Sequence, residues 1–294
     1  MRYAVSNWIY GDEALETTFQ RLSRCGFDGV ELVGEPERYR PADVKRLCGE
    51  CNLQVLSIAG MYPWPTRERD LANPDPEVRE NAVAYLRTCV DFACDVGARM
   101  IIVVPSAAGK TRPVGWRGDA DTWEGAYRDE WAYAVESVRK AARYAEERGV
   151  ALAIEPINRY ESYLVNTAEQ GLRFISEVGS DFVRLHLDTF HMNIEEGDPI
   201  GAVRSAGGLL VNVHVSDSNR QAVGRGHFDF GALMKALKEI GYGGPLTLEP
   251  LPPVPDASVA VKMSRYVSQW EEYVRESLRS LRELECSVQK VEES

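Results

Sequence analysis

The chain has 294 residues, of which 44% are hydrophobic, and it carries a net charge of −11. This size allows one large core as well as two domains, and the negative charge argues against a nucleic-acid partner because it repels phosphates. No run approaches the roughly 18 consecutive apolar residues of a membrane span, and the N-terminus lacks the pattern of a signal peptide. We therefore expect a cytoplasmic protein that does not contact membranes.

Short apolar runs alternate with longer amphipathic ones along the chain. Their periodicity and the Gly and Pro breaks predict eight strands, each followed by a helix. The predicted strands are 3–8, 29–33, 54–59, 100–104, 151–155, 183–188, 210–215 and 246–249. The predicted helices are 15–25, 42–51, 76–96, 129–148, 168–178, 200–206, 230–240 and 257–284.

This regular alternation predicts a parallel sheet of the α/β class. Eight units in this length fit a closed (β/α)8 TIM barrel, whereas a doubly wound sheet would need a glycine-rich phosphate loop after the first strand, and SNWIYGDE contains none. No linker divides the chain, so we expect a single domain over residues 1–294 that ends in a long C-terminal helix. Segment 105–127 is predicted to be a long loop over the catalytic face.

The last four predicted strands each carry a potential metal ligand at or near their carboxyl end: Glu155, Asp188, His214 and Glu249. Each residue alone has an ordinary explanation, as a helix cap, a salt bridge or a hydrogen-bonded core histidine. In a barrel, however, the carboxyl ends of all strands meet at one face. Three carboxylates and one imidazole form a mostly oxygen site suited to Mn²⁺, Mg²⁺ or Co²⁺.

Strand alternation places further polar residues inside the barrel. If Asp188 points inward, His186 does so one layer deeper, either as a hydrogen-bond partner of a ligand or as a ligand itself. Asn212 is expected to point inward with His214. Glu31, at the end of the second strand, either faces the same cavity or forms a structural salt bridge.

Six motifs carry a family resemblance. They are GFDGVEL (26–32), EPINRYESYLVN (155–166), HLDTFHMNIEE (186–196), NVHVSDSNR (212–220), GRGHFDF (224–230) and LTLEP (246–250). Together they resemble the sugar isomerase/epimerase family with xylose isomerase-like TIM barrels, and within it most of all the D-tagatose/D-allulose 3-epimerases. The match is close in the second half of the chain and extends to the first half mainly in layout.

The resemblance implies that Glu155, Asp188, His214 and Glu249 bind one divalent metal ion, with Mn²⁺ favoured over Mg²⁺ and Co²⁺. It implies that Glu155 and Glu249 also act as the acid/base pair. Substrate hydroxyl groups would be held by residues at the matching positions, which are Glu161, His191 and Arg220.

Aromatic side chains near the predicted strand ends could exclude water from the substrate. Trp8 and Trp116 are the aromatic residues that we expect to contact the sugar, and Trp64 and Trp123 are further candidates for an apolar lid. His227 and Asp229 are expected to shape the loop before the next helix. Lys110, Arg112 and Arg117 in the long loop leave a phosphorylated substrate open, although an unphosphorylated one is favoured.

The resemblance implies a ketose 3-epimerase that works through a cis-enediolate, with a small sugar as substrate and a homodimer or homotetramer as the assembly. The same ligands would also serve an aldose–ketose, inosose or hydroxypyruvate isomerase, or a subunit that cleaves oxidised glycosides by enolisation. A sugar-binding barrel without catalysis is the alternative of a different class. Because all four histidines lie in the second half of the chain, a DNA endonuclease with three metal ions is disfavoured.

Overall fold

The first and last strands of the sheet pair with each other, which closes it into a barrel. The computed structural model describes residues 1–61, 68–254 and 267–290. All neighbouring strands are parallel, in the order of the sequence. The strands are β1 (Arg2–Ser6), β2 (Gly29–Val33), β3 (Gln54–Ala59), β4 (Met100–Val103), β5 (Ala151–Ile154), β6 (Val183–Asp188), β7 (Leu210–Val215) and β8 (Pro245–Leu248). The (β/α)8 TIM barrel predicted from the sequence is confirmed.

Helices surround the barrel and follow the strands in turn. They are α1 (Leu15–Cys25), α2 (Pro41–Cys51), α3 (Pro76–Val96), α4 (Ala120–Glu147), α5 (Ala168–Val178), α6 (Thr189–Glu195), α7 (Pro199–Ala206), α8 (Phe230–Glu239) and α9 (Val267–Lys290). The long C-terminal helix is thus present, although the predicted part 257–266 lies outside the described residues. Trp64 also lies outside them.

Two helix predictions were wrong in ways that affect the catalytic face. Helix α4 begins at Ala120, nine residues before the predicted start, because the Asp119 carboxylate accepts a hydrogen bond of 2.8 Å from Thr122 N and caps the helix. The loop after β4 is correspondingly shorter, and Trp123 belongs to the helix. Helix α6 (Thr189–Glu195) was not among the predicted helices.

Helix ends follow local rules where the sequence supplies the residues. Helix α5 begins with a capping box, in which Thr167 Oγ1 accepts from Gln170 N at 3.2 Å and Gln170 Oε1 accepts from Thr167 N at 3.1 Å. Helix α3 ends at Gly97, whose φ of 82° is a conformation that glycine adopts without steric cost. Such caps fix where each loop leaves its helix, and thus where the next strand begins.

Helix α9 packs against the outside of the barrel, beside α8 and β1. Trp270, Val274 and Leu278 are buried in the common core. At the N-terminal end of the barrel, Tyr3 OH donates to Glu285 Oε2 at 2.6 Å. None of the described helices combines the length and apolarity needed to cross a membrane.

Candidate active site

Four side chains predicted to bind a metal meet at the carboxyl ends of β5 to β8. Asp188 ends β6 and His214 is the second-last residue of β7, and the two are directly opposite each other in the β6–β7 register. Glu155 and Glu249 are the first residues after β5 and β8, and their N–H groups still donate to the neighbouring strands. All four are at most 8% exposed. The geometry therefore brings the predicted ligands together.

Both glutamates lie close to one nitrogen of His214. His214 Nδ1 is 3.3 Å from Glu249 Oε2 and 3.9 Å from Glu155 Oε1. Together with His214, these residues and Asp188 form one cluster. His191 lies between Asp188 and Glu155, with its Nε2 3.6 Å from Asp188 Oδ2 and 4.0 Å from Glu155 Oε1. Two carboxylates beside one imidazole nitrogen could both act on one small ligand.

Unpaired buried atoms indicate that the cluster fits a cation. Within the described residues, Asp188 Oδ2 and His214 Nδ1 are buried without a hydrogen-bond partner, which costs free energy unless another ligand satisfies them. Neighbouring donor sets include Glu31, His214 and Glu249, and also Glu155, Asp188 and His191. Because most of these donors are carboxylate oxygens, the set suits a hard divalent cation.

Glu31 lies beneath His214 and is fully buried. Its carboxylate oxygens are 3.0 and 3.1 Å from His214 Nε2, and Ser57 Oγ donates to Oε2 at 2.6 Å. A carboxylate here holds the proton on Nε2 and leaves Nδ1 to face the cluster, the arrangement typical of metal-binding histidines. The sequence left Glu31 undecided between facing the cavity and forming a structural salt bridge, and the structure shows a buried carboxylate paired with His214.

The strand pairing is irregular beside two of the inward-pointing residues. The register shifts between Val30 and Glu31 in β2 and between Leu185 and His186 in β6. A bulge turns a side chain away from strict alternation and is common next to active sites.

His186 lies one layer below the cluster, as alternation predicts. It is fully buried, its Nε2 is 3.4 Å from Glu155 Oε1, and its ring packs edge-on against His214 at 4.1 Å. Burial lowers the pKa of His186 well below the usual value, and the neighbouring His214 lowers it further. The imidazole is therefore neutral, and its position next to Glu155 suits a hydrogen-bond partner of that carboxyl group.

The environment separates the pKa values of the two glutamates. Burial raises the pKa of Glu155 to about 8, which His214 and His191 only partly oppose. Burial acts in the same direction on Glu249, but His214, Arg220 and the Trp8 indole outweigh it and lower the pKa of Glu249 to about 2. Without a metal, the pair holds one proton near neutral pH, with Glu155 protonated and Glu249 ionised.

Arg220 approaches the cluster from the loop after β7. Its Nη2 is 3.3 Å from Glu249 Oε2 and 4.0 Å from Asp188 Oδ2, and its guanidinium group lies over the Phe190 ring at 4.6 Å. The backbone of Arg220 has a φ of 59°, which is costly for a residue with a side chain. Hydrogen bonds of 2.7 Å on both sides, from Arg220 N to Asp217 O and from Leu251 N to Arg220 O, stabilise this conformation.

Trp8 follows β1 and contacts the site, where its indole N–H donates to Glu249 Oε1. It lies in a short 3-10 turn, Asn7–Tyr10, and not at the end of the strand as predicted. Its ring is only partly buried. Trp8 can therefore orient Glu249 and still present an apolar edge to a ligand.

Glu161 and His191 are joined by a residue that the sequence did not single out. Asn158 Nδ2 donates to Glu161 Oε1 at 2.8 Å and lies 2.8 Å from His191 Nδ1. Asn158 N also donates to His191 Nδ1 at 3.3 Å, so Nδ1 accepts and Nε2 carries the proton. The only sequence signal for Asn158 is its place within the EPIN stretch after β5.

The remaining predicted contacts have mixed outcomes. Trp116 packs edge-on against Trp123 at 5.3 Å and donates to Asp119 O, so its contact with a ligand stays a prediction. Asp229 caps α8 by accepting from Ala232 N, and His227 pairs with Ser218 within the same loop. Both therefore shape this loop, as predicted.

Comparisons with known proteins agree with this geometry. Residues 19–284 match the family described as xylose isomerase-like TIM barrel. The chain is 36% identical over 241 residues to the L-ribulose 3-epimerase of Mesorhizobium japonicum, which covers 80% of this chain and 75% of that protein. It is 33% identical over 234 residues to the D-psicose 3-epimerase of Ruminiclostridium cellulolyticum, with coverages of 79% and 76%.

A solved structure extends the likeness to almost the whole chain. The D-psicose 3-epimerase of Clostridium cellulolyticum H10, solved with D-tagatose, superposes with a TM-score of 0.81 at 28% identity and covers 97% of this chain and 99% of that one. The family resemblance noted in the sequence is thereby confirmed. This chain belongs to the xylose isomerase-like TIM barrel family.

Proposed function

We propose that the protein is a ketose 3-epimerase that requires a divalent metal ion and acts on an unphosphorylated ketose. The observation that carries this proposal is the approach of both Glu155 and Glu249 to His214 Nδ1, with the pKa values of the two glutamates moved in opposite directions. Epimerisation needs an acid and a base on opposite faces of one carbon. The curated relatives that act as ketose 3-epimerases support the same reaction class.

Glu155, Asp188, His214 and Glu249 are proposed to hold the ion. When bound there, a divalent cation would polarise the ketone oxygen and stabilise the charge that develops on it. Mn²⁺ is the proposed ion, because the donor set consists of three carboxylates and one imidazole. We propose that residues 1–294 form one domain that acts in the cytoplasm as a homo-oligomer.

In the proposed reaction the two glutamates exchange one proton with C3. The ionised Glu249 removes the C3 proton of one epimer, which leaves a cis-enediolate. The protonated Glu155 returns a proton to the opposite face of C3, and the reverse reaction uses the two groups in reverse order. Arg220 donates a hydrogen bond to Glu249, and His191 Nε2 lies 3.6 Å from Asp188 Oδ2. Both are proposed to hold the sugar oxygens together with Glu161, while Trp8 and Trp116 exclude water.

The test is incubation of the Mn²⁺-loaded protein with a panel of ketoses in D₂O, followed by NMR of the products. We expect deuterium at C3 together with the C3 epimer. Deuterium at C1 or C2 with an aldose product would identify an aldose–ketose isomerase instead. Absence of exchange on every ketose would reject enolisation and favour a sugar-binding barrel.

A further inference from the structure

Lys110 forms a buried ion cluster outside the site described above. Its Nζ is 2.8 Å from Asp70 Oδ2 and also donates to Glu130 Oε2. Asp70 and Glu130 are 1% and 2% exposed, and Lys110 is mostly buried as well. The ammonium group therefore pairs with two buried carboxylates. Because both contacts are already made within the protein, Lys110 is unsuited to bind a substrate phosphate.

The cluster joins three loops at the carboxyl end of the barrel. Asp70 follows β3, and its Oδ1 accepts from Ala107 N, in the loop after β4, at 3.1 Å. Lys110 itself belongs to that loop. Glu130, on α4, accepts from Val114 N and from the hydroxyl group of Tyr163 in the loop after β5.

The loop after β4 is also hydrogen-bonded to the backbone of the loop after β5. Gly109 N donates to Glu161 O at 2.8 Å, and Lys110 forms an isolated β-bridge with Ser162. Ser106 Oγ and Ser162 Oγ are 2.7 Å apart. The backbone on both sides of Glu161 is thus fixed by the loop that Lys110 anchors.

Glu161 connects this region to the proposed sugar contacts. Its carboxylate accepts from Asn158 Nδ2, and the same amide group meets His191 Nδ1. A shift of the Glu161 backbone would therefore move both predicted hydroxyl contacts together. The four metal-binding candidates would keep their places, because they sit on or directly after the strands.

We propose that Lys110 is a positioning residue, which sets the sugar-binding side of the active site by holding the loops after β3, β4 and β5 together. This inference rests on the proposed function, since it assigns Glu161 and His191 to the sugar. Without the ammonium group, two buried carboxylates would face each other without a counter-charge, and repulsion would separate the loops. Sugar binding should suffer, and metal binding should not.

The test compares Lys110→Met with Lys110→Arg, which keeps the charge, and with Lys140→Met, which removes an exposed lysine that pairs with Glu80 and Glu136 on the outer surface. Steady-state kinetics on the best ketose and Mn²⁺ titration are measured well below each Tm. We expect Lys110→Met to raise KM at least tenfold with Mn²⁺ affinity within twofold of the parent. Lys110→Arg should recover most of the KM change, and Lys140→Met should leave KM unaltered.

Hydrogen exchange provides a readout that does not depend on turnover. In Lys110→Met, amides of residues 158–166 should exchange at least tenfold faster, while those of β6 and β7 keep their protection. If Lys110→Met does not fold, Tyr163→Phe removes one contact of the cluster and should raise KM about threefold. An unchanged KM and unchanged local exchange in the folded variants would overturn the inference. A parent protein without activity on any ketose would reject the proposed function. In that case the hydrogen-exchange data would still decide the role of Lys110.

Discussion

His214 is the residue on which the centre of the site depends. One ring nitrogen faces the two glutamates, and the other is held by Glu31. The sequence identified His214 and Glu249 because they end apolar strands, where an uncompensated polar group would be costly. It left Glu31 open and missed Asn158, because a partner from a distant strand or a loop becomes visible only when the barrel closes.

Glu31→Gln tests the support of His214. The substitution keeps the size of the side chain but removes the charge that holds the Nε2 proton. We expect Mn²⁺ affinity, measured by isothermal titration calorimetry, to fall by about 10- to 100-fold. Glu285→Gln is the matched control, since Glu285 bonds Tyr3 OH at the opposite end of the barrel. Equal Mn²⁺ affinity in the two variants would contradict the role of Glu31.

The pKa values of the site predict how metal binding depends on pH. Burial raises the pKa of Glu155 to about 8, so at pH 6 a proton competes with the cation for this carboxyl group. Mn²⁺ affinity should therefore increase from pH 6 to pH 8, by up to about tenfold per pH unit for each proton released. Calorimetry at several pH values in buffers of different ionisation enthalpy would count the protons, and a flat affinity over this range would show that Glu155 is already ionised.

At the scale of elements, strands and most helices followed from periodicity, whereas the loops that carry the site did not. The bounds of β2, β3, β6 and β7 agree with the prediction residue for residue. Helix α4 was predicted too short because Gly125 and the polar residues around it resemble a loop, although Asp119 caps the helix. Helix α6 is only seven residues long, too short for a periodic pattern, and it begins directly after Asp188, which accepts from Phe190 N.

The loop after β7 is organised by one buried carboxylate. Asp217 Oδ1 accepts from Ser218 N at 2.7 Å and from Phe228 N at 3.2 Å, and Oδ2 accepts from Gly224 N at 2.8 Å. An amide at this position would direct its NH₂ group at a backbone donor. For Asp217→Asn we expect a loss of about 1–3 kcal/mol in unfolding free energy and a higher KM, since Arg220 lies on this loop.

Chemical denaturation and steady-state kinetics measure the two effects of Asp217→Asn. Asp229→Asn is the matched control, because Asn caps a helix about as well as Asp and Asp229 bonds Ala232 at the start of α8. A KM that stays the same in Asp217→Asn would mean that the loop does not position Arg220.

At the scale of the molecule, the eightfold alternation was sufficient to predict the barrel, because few arrangements of parallel strands bury such a pattern. The barrel then determines which strand ends meet. What the alternation could not predict is how the chain ends are held, since contacts such as Tyr3 with Glu285 join residues at opposite ends of the sequence.

Leu278 of α9 packs into the barrel core, so its truncation should affect stability more than activity, although the same helix contacts the loop after β7 through Ser277 Oγ, which accepts from Val223 N at 3.0 Å. Leu278 is 3% exposed and packs into the core, so Leu278→Ala should lower the free energy of unfolding by about 2–5 kcal/mol and leave KM unchanged below the new Tm. Arg279→Ala, at an exposed position of the same helix, should change stability by less than about 0.5 kcal/mol. A large increase in KM for Leu278→Ala would show that α9 is coupled to the active site.

The most direct test of the central claim is solvent exchange at C3 in Glu155→Gln and Glu249→Gln, each incubated with Mn²⁺ in D₂O with either epimer of the best ketose. If the two glutamates act on opposite faces, epimerisation is lost in both variants, yet each variant still exchanges the C3 proton of one epimer, and the two variants exchange different epimers. Loss of exchange for both epimers in one variant, with both retained in the other, would contradict the account.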